Sequence, residues 1–244
     1  MSAPQVVLLW DLDGTLLSTG RAGVFALEEA ARVVLGRDVD LQEMHTSGLT
    51  DAQIAELILD GDPDAASNVA RFLELYGAAL PRHLPRRKGR VMPGVRHLLE
   101  DLAKDERVLS LLLTGNIEAG AHAKLSHYGL AELIWEGGFC RGPGERAVIA
   151  QAALAEAERR MGAPPDTSRT FVIGDTPRDV ECARSLGLRS IAVATGEYGT
   201  DELASSGAWR VFERLPGPDD FRTLVGLPGP LRDRGKANRH SPLR

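Results

Sequence analysis

Two acids stand one residue apart in Asp11-Leu12-Asp13-Gly14-Thr15, directly after an apolar run that ends at Trp10. A carboxylate at a strand end can attack a phosphoryl group and so divide one difficult displacement into two easier ones. The attack leaves an alcohol to protonate and then a water to activate, which is work for a second acid, and Asp13 is placed for it. Gly14 lets the chain turn there. On its own the pair could equally be a turn or a helix cap. Three other features give it meaning. Asp175 and Asp179, in Gly174-Asp175-Thr176-Pro177-Arg178-Asp179, follow another apolar run and offer the oxygen ligands that suit magnesium. Thr114-Gly115-Asn116 offers a hydroxyl and closely spaced backbone N–H groups, which are donors for phosphate. Carboxylates and phosphate gathered in one pocket need a cation, and Arg146 is the candidate. Each feature alone has a plain reading: a turn threonine, a solvated arginine, a helix-capping aspartate. Their order and spacing together argue for one site.

Such residues must be held by something rigid. The segments 5–10, 108–113, 170–173 and 190–194 are each apolar on every side, as strands buried on both faces are. Each stops at small polar or acidic residues. Helical patterns over 95–104, 119–128, 146–161 and 178–186 separate them. This alternation predicts an α/β fold with a parallel sheet whose chemistry lies beyond the carboxyl ends of its strands. Residues 18–90 break the alternation. They read as amphipathic helices over 24–35, 50–59 and 65–80, with Thr50 or Asp51 capping the second and no convincing strand. The expected organisation is a catalytic core of 1–17 and 91–227, an inserted all-helical unit of 18–90, and a disordered tail of 228–244 rich in Pro, Gly and Arg.

These motifs resemble the haloacid dehalogenase-like hydrolases, from about residue 6 to 227. The resemblance implies a Rossmann-like parallel sheet core with an inserted helical cap. It also implies a phosphatase that forms an aspartyl phosphate on Asp11 and uses Asp13 as general acid/base, with the Asp13 main-chain carbonyl also on the metal. Thr114 corresponds to the phosphate-binding Thr/Ser of the second motif. Asp175 and Asp179 correspond to the acidic motif that holds magnesium, Asp175 as the direct ligand. The third motif is usually a lysine. Between Ile117 and Asp175 the only lysine is Lys124, which falls too early, on the helix after Thr114. Arg146 begins the helix where that lysine would fall, with Arg141 as the alternative. Arginine stays charged and can grip phosphate with two bonds.

In this family the cap sets substrate choice, and the candidate contacts are Arg21, His45, Thr46, Thr50 and Asp51. Segment 47–54 is similar to a cap turn of phosphoglycolate phosphatase-like members, although Leu17-Ser18-Thr19-Gly20 replaces the Asp-Ser pair that often follows the first motif there. The short cap helices suit a small phosphorylated metabolite.

Composition bounds the rest. With 43% hydrophobic and 26% charged residues the chain is globular over most of its length. The formal charge is −5. Residues 228–244 hold five Lys/Arg against Asp233 alone, so the remainder carries about −9, which argues against nucleic acid as a partner. Cys140 and Cys182 have no zinc spacing and read as reduced thiols. The early apolar run is too short for a signal peptide or a membrane span, so the expected location is the cytoplasm, as a monomer or homodimer. The rival readings are a phosphomutase of the same family, a phosphate-binding protein without turnover, and a phosphoryl-accepting receiver domain. The last is disfavoured because its accepting aspartate lies on a middle strand of a much shorter domain. A true dehalogenase needs no metal and would leave Asp13 and Asp175 superfluous.

Overall fold

The computed structural model describes residues 5–142 and 146–227; the expected tail lies outside them. Among the described residues eight strands form in chain order: β1 (Val6–Trp10), β2 (Leu17–Ser18), β3 (Arg90–Val91), β4 (Val108–Ile117), β5 (Gly137–Cys140), β6 (Thr170–Gly174), β7 (Arg189–Val193) and β8 (Arg210–Phe212). Nine α-helices accompany them among the described residues: α1 (Ala22–Leu35), α2 (Asp51–Ile58), α3 (Ala65–His83), α4 (Val95–Leu102), α5 (Glu118–His127), α6 (Arg146–Met161), α7 (Pro177–Ser185), α8 (Thr200–Ser205) and α9 (Pro218–Leu224).

Six strands make one parallel sheet in the order β5-β4-β1-β6-β7-β8. The chain runs outward from β1 through β4 to β5, then returns to the other side of β1 with β6. The order therefore reverses beside β1, and a crevice opens at its carboxyl end. β1 lies in mid-sheet because every side chain in it is apolar and buried. Val7 and Leu9 face one layer with Leu111, Val172 and the alanines of α6; Val6, Leu8 and Trp10 face the other with Leu98, Phe171 and Phe221. Trp10 is fully buried, stacked on Phe221.

Between β2 and β3 lie α1, α2 and α3. The stretch read as strand-free has one strand residue at each end: Leu17 pairs with Val91 and Ser18 with Arg90 in a two-residue antiparallel ribbon. The pattern was too short to register in the sequence. Helix α3 runs past Pro81 to His83, three residues beyond expectation, because Pro81 sits in its last turn and Arg82 and His83 are both tied to Glu29 of α1. Strand β4 also outruns its expected end. It continues through Thr114, Gly115 and Asn116, with a register irregularity between Leu113 and Ile117 where it pairs with β5.

Candidate active site

A cavity of about 390 Å³ opens at the carboxyl ends of β1, β4, β6 and β7, between them and α1–α3. Asp11 and Asp13 reach it from the turn after β1. Gly14 in that turn has φ +83°, and a Cβ there would collide with the carboxylate of Asp175, so only glycine lets the two acidic segments close up. Thr15 Oγ1 donates to Asp175 Oδ1 at 2.9 Å, and Thr195 Oγ1, after β7, donates to the carbonyl of Gly14 at 2.6 Å.

Asp11, Asp175 and Asp179 are all buried, and each offers an oxygen within 4.8 Å of the others. Arg146, at the start of α6, donates through Nη2 to Asp11 Oδ1 at 2.7 Å and to Asp179 Oδ1. Asp179 has a second duty. Its Oδ2 accepts from the backbone N–H of Thr176 at 3.1 Å and from Thr176 Oγ1 at 2.8 Å, closing a capping box at the start of α7. Asp11 is raised to about 7, first by burial, against the pull of Arg146 and with added pushes from Asp179 and Asp13. Asp175 is raised well above the usual carboxylate range by burial, then by Asp11 and Asp179. One guanidinium thus faces three buried carboxylates, and negative charge is in excess. A hard cation with oxygen ligands fits this donor set: the oxygens converge, and their mutual repulsion is what such an ion relieves.

Asp13 turns elsewhere. Its Oδ2 accepts from Lys124 Nζ at 2.5 Å and from Asn116 Nδ2 at 2.8 Å. Lys124, set aside by linear spacing, is therefore a second buried cation in the cavity. Asn116 and the backbone of Gly115 line the cavity, whereas Thr114 is wholly buried behind it, with its Oγ1 accepting from Asn116 Nδ2 at 2.8 Å. A Cβ on Gly115 would meet the carbonyl oxygen of Leu49 at 2.8 Å and Thr50 Cα at 3.0 Å, so the segment before α2 packs directly on the end of β4.

The residues proposed for substrate contact separate. Arg21, Thr46 and Asp51 line the cavity; Arg21 also donates to the carbonyl of Gln42 at 2.6 Å. His45 is exposed and is not among the lining residues, and Thr50 is buried as the N-cap of α2, its hydroxyl spent on Gln53 N–H. Asp51, the first residue of α2, accepts the backbone N–H of Ile117 at 2.7 Å and so joins α2 to β4. Arg141 is exposed and does not line the cavity. Sequence reasoning gave no role to Thr15, Lys124 or Thr195, nor to Tyr76 of α3, which lines the cavity. Of these, Thr195 carried a signal, as the polar residue just beyond a buried strand.

Fold and site together define a Rossmann-like enzyme whose polar machinery is built mainly from carboxylates at the sheet's switch point. The chain matches the haloacid dehalogenase-like hydrolase family over residues 8–184 and belongs to it. It is 28% identical over 205 residues to a curated protein of Dickeya dadantii (strain 3937) named "Probable phosphatase IndB", covering 82% of this chain and 86% of that one. Among solved structures it resembles a hydrolase from Pseudomonas syringae, with TM-score 0.66 and 23% identity over 91% of this chain and 98% of that one. It also resembles CbbY from Rhodobacter sphaeroides, solved in complex with phosphate, with TM-score 0.65 and 20% identity over 85% and 93% of the two chains.

Proposed function

We propose that this enzyme is a magnesium-dependent phosphatase that hydrolyses a small phosphorylated metabolite through an aspartyl phosphate on Asp11. The observation that carries the reading is the convergence on one cavity of Asp11, held by Arg146, with a carboxylate cluster on one side and Asp13 on the other. The relative named as a phosphatase supports it.

Asp11, Asp175 and Asp179, with the main-chain carbonyl of Asp13, would hold the ion, which when bound screens the charge of Asp11 from that of the phosphate. Asp11 attacks phosphorus as the leaving oxygen takes a proton from Asp13. Asp13 then receives a proton from the water that cleaves the aspartyl phosphate, and both acids return to their starting states. Arg146 keeps the attacking carboxylate in place, and the backbone N–H of Gly115 donates to a phosphate oxygen, that of Asn116 being given to Thr114 Oγ1 at 3.3 Å. Helices α1–α3 act as the cap, with Arg21, Thr46 and Asp51 facing the substrate. A cavity of about 390 Å³ suits a small ester. The two free, buried thiols are consistent with a cytoplasmic location.

The test is a panel of small phosphate esters, phosphoglycolate among them, assayed with magnesium for inorganic phosphate. Free phosphate separates hydrolysis from a mutase, which returns the group to its product. Asp11→Asn should abolish turnover with an unchanged circular dichroism spectrum, and excess chelator should stop the wild type. Appreciable turnover in D11N, or full activity in chelator, would contradict the proposal.

A further inference from the structure

Lys124 is nearly sealed from solvent, at 4% exposure, yet it makes no bond to Asp11, Asp175 or Asp179. Arg146 already serves that cluster. The ammonium of Lys124 instead closes a ring with Asp13 and Asn116. It donates to Asp13 Oδ2 and to Asn116 Oδ1, while Asn116 Nδ2 donates to the same Asp13 Oδ2. The ring fixes the amide of Asn116, whose oxygen must face the ammonium and whose nitrogen must face the carboxylate. Oδ2 thus has two donors, one of them charged. Asp13 Oδ1 accepts no hydrogen bond among the described residues, and the Asp13 side chain is 42% exposed toward the cavity. A buried ion pair is weak grounds for stability, since an apolar pair of similar volume often does as well. Its worth here lies in holding one carboxylate in one orientation.

Resting on the phosphatase reading above, we infer that Lys124 is a positioning residue for proton transfer: with Asn116 it engages Asp13 Oδ2, so that Oδ1 is the oxygen that carries the proton. In the first step a bond forms between Asp11 and phosphorus, the bond from phosphorus to the leaving oxygen breaks, and the proton on Asp13 Oδ1 passes to that oxygen to give the alcohol. In the second, water adds to phosphorus, its proton goes to Asp13 Oδ1, and the bond to Asp11 breaks to restore the carboxylate and release phosphate. Lys124 acts through Asp13 and not on the leaving oxygen or phosphorus directly. It sets the angle at which Asp13 meets them.

The experiment compares kcat/KM for 4-nitrophenyl phosphate, whose leaving group departs with little help from a proton, with kcat/KM for an alkyl phosphate, whose leaving group needs one. This parameter reports steps only as far as departure of the alcohol. General acid catalysis contributes roughly 10²–10⁴-fold, so Lys124→Met should cost the alkyl ester at least about tenfold more than the aryl ester. In a D13N background the same change should add less than about twofold. Lys124→Arg, which keeps the charge, should show the same leaving-group bias at smaller size; it decides the matter if K124M does not fold. Equal losses for the two esters in K124M or K124R overturn the inference, as does full additivity with D13N. A wild type that releases phosphate from no ester of the panel would instead overturn the phosphatase reading.

Discussion

Replacing Asp51 by asparagine should stabilise the fold, by an amount that grows with pH. The Asp51 carboxylate is 5% exposed and lies between α2 and β4, facing Lys124, Asp13 and Tyr76. Burial pushes it up to about 7, against the pull of Lys124 and the Ile117 N–H and with a further push from Asp13. In an unfolded chain an aspartate titrates near 3.9. The folded state therefore binds the proton more tightly. The stability linked to it is complete below about 3.9 and is withdrawn as pH rises through about 7. A gap of about three units at ~1.36 kcal/mol each sets the linked loss of stability at about 4 kcal/mol by pH 8, where Asp51 is ionised, and at about 1.5 kcal/mol at pH 5, where the folded chain still holds the proton. Asparagine is neutral throughout and keeps an oxygen for the Ile117 N–H. Urea unfolding of wild type and D51N at pH 5, 6.5 and 8, in metal-free buffer, gives the difference directly from ΔG in water. Asp51→Ala removes the acceptor as well and should lie about 1–3 kcal/mol below D51N at each pH. A D51N advantage that stays flat from pH 5 to 8, or turns into a deficit at pH 8, would refute the reasoning.

Two other outcomes follow from the packing. Arg222, 2% exposed on α9, binds Asp101 at 2.8 Å and also Asp105, so Arg222→Met should destabilise the fold by about 3 kcal/mol, and an unchanged urea midpoint would count against it. Gly115→Ala places a methyl group against Leu49 and Thr50; it should raise KM for the best ester through displacement of that segment while costing about 1–3 kcal/mol, and an unaltered KM would dissociate the segment from substrate binding.

The sheet was legible because its four central strands are apolar on both faces and end in polar residues, a pattern that suits little besides a strand covered on both sides. β5 and β8 were not. Gly137-Gly138-Phe139-Cys140 lacks branched side chains, and Arg210–Phe212 is a partly exposed edge. In the site, Asp11 and Asp13 could be read from one turn, and Asp175 and Asp179 from another. Lys124 could not, since order along the chain placed it too early, on the helix right after Thr114. Side chains on a helix lean toward its N-terminus, and α5 begins at Glu118 beside the cavity, so a long lysine nearly two turns in reaches back to Asp13. His45 and Thr50 show the opposite difficulty. Both sit in a segment that packs over the cavity, but one faces solvent and the other is consumed by a helix cap. Nearness in sequence to a functional loop said nothing about direction.

Asp179 has one oxygen committed to the first turn of α7 and the other to Arg146. It is a hinge pin shared by two machines. Whatever unwinds that turn also slackens the guanidinium's grip on Asp11, so catalytic competence is coupled to the integrity of one short helix end.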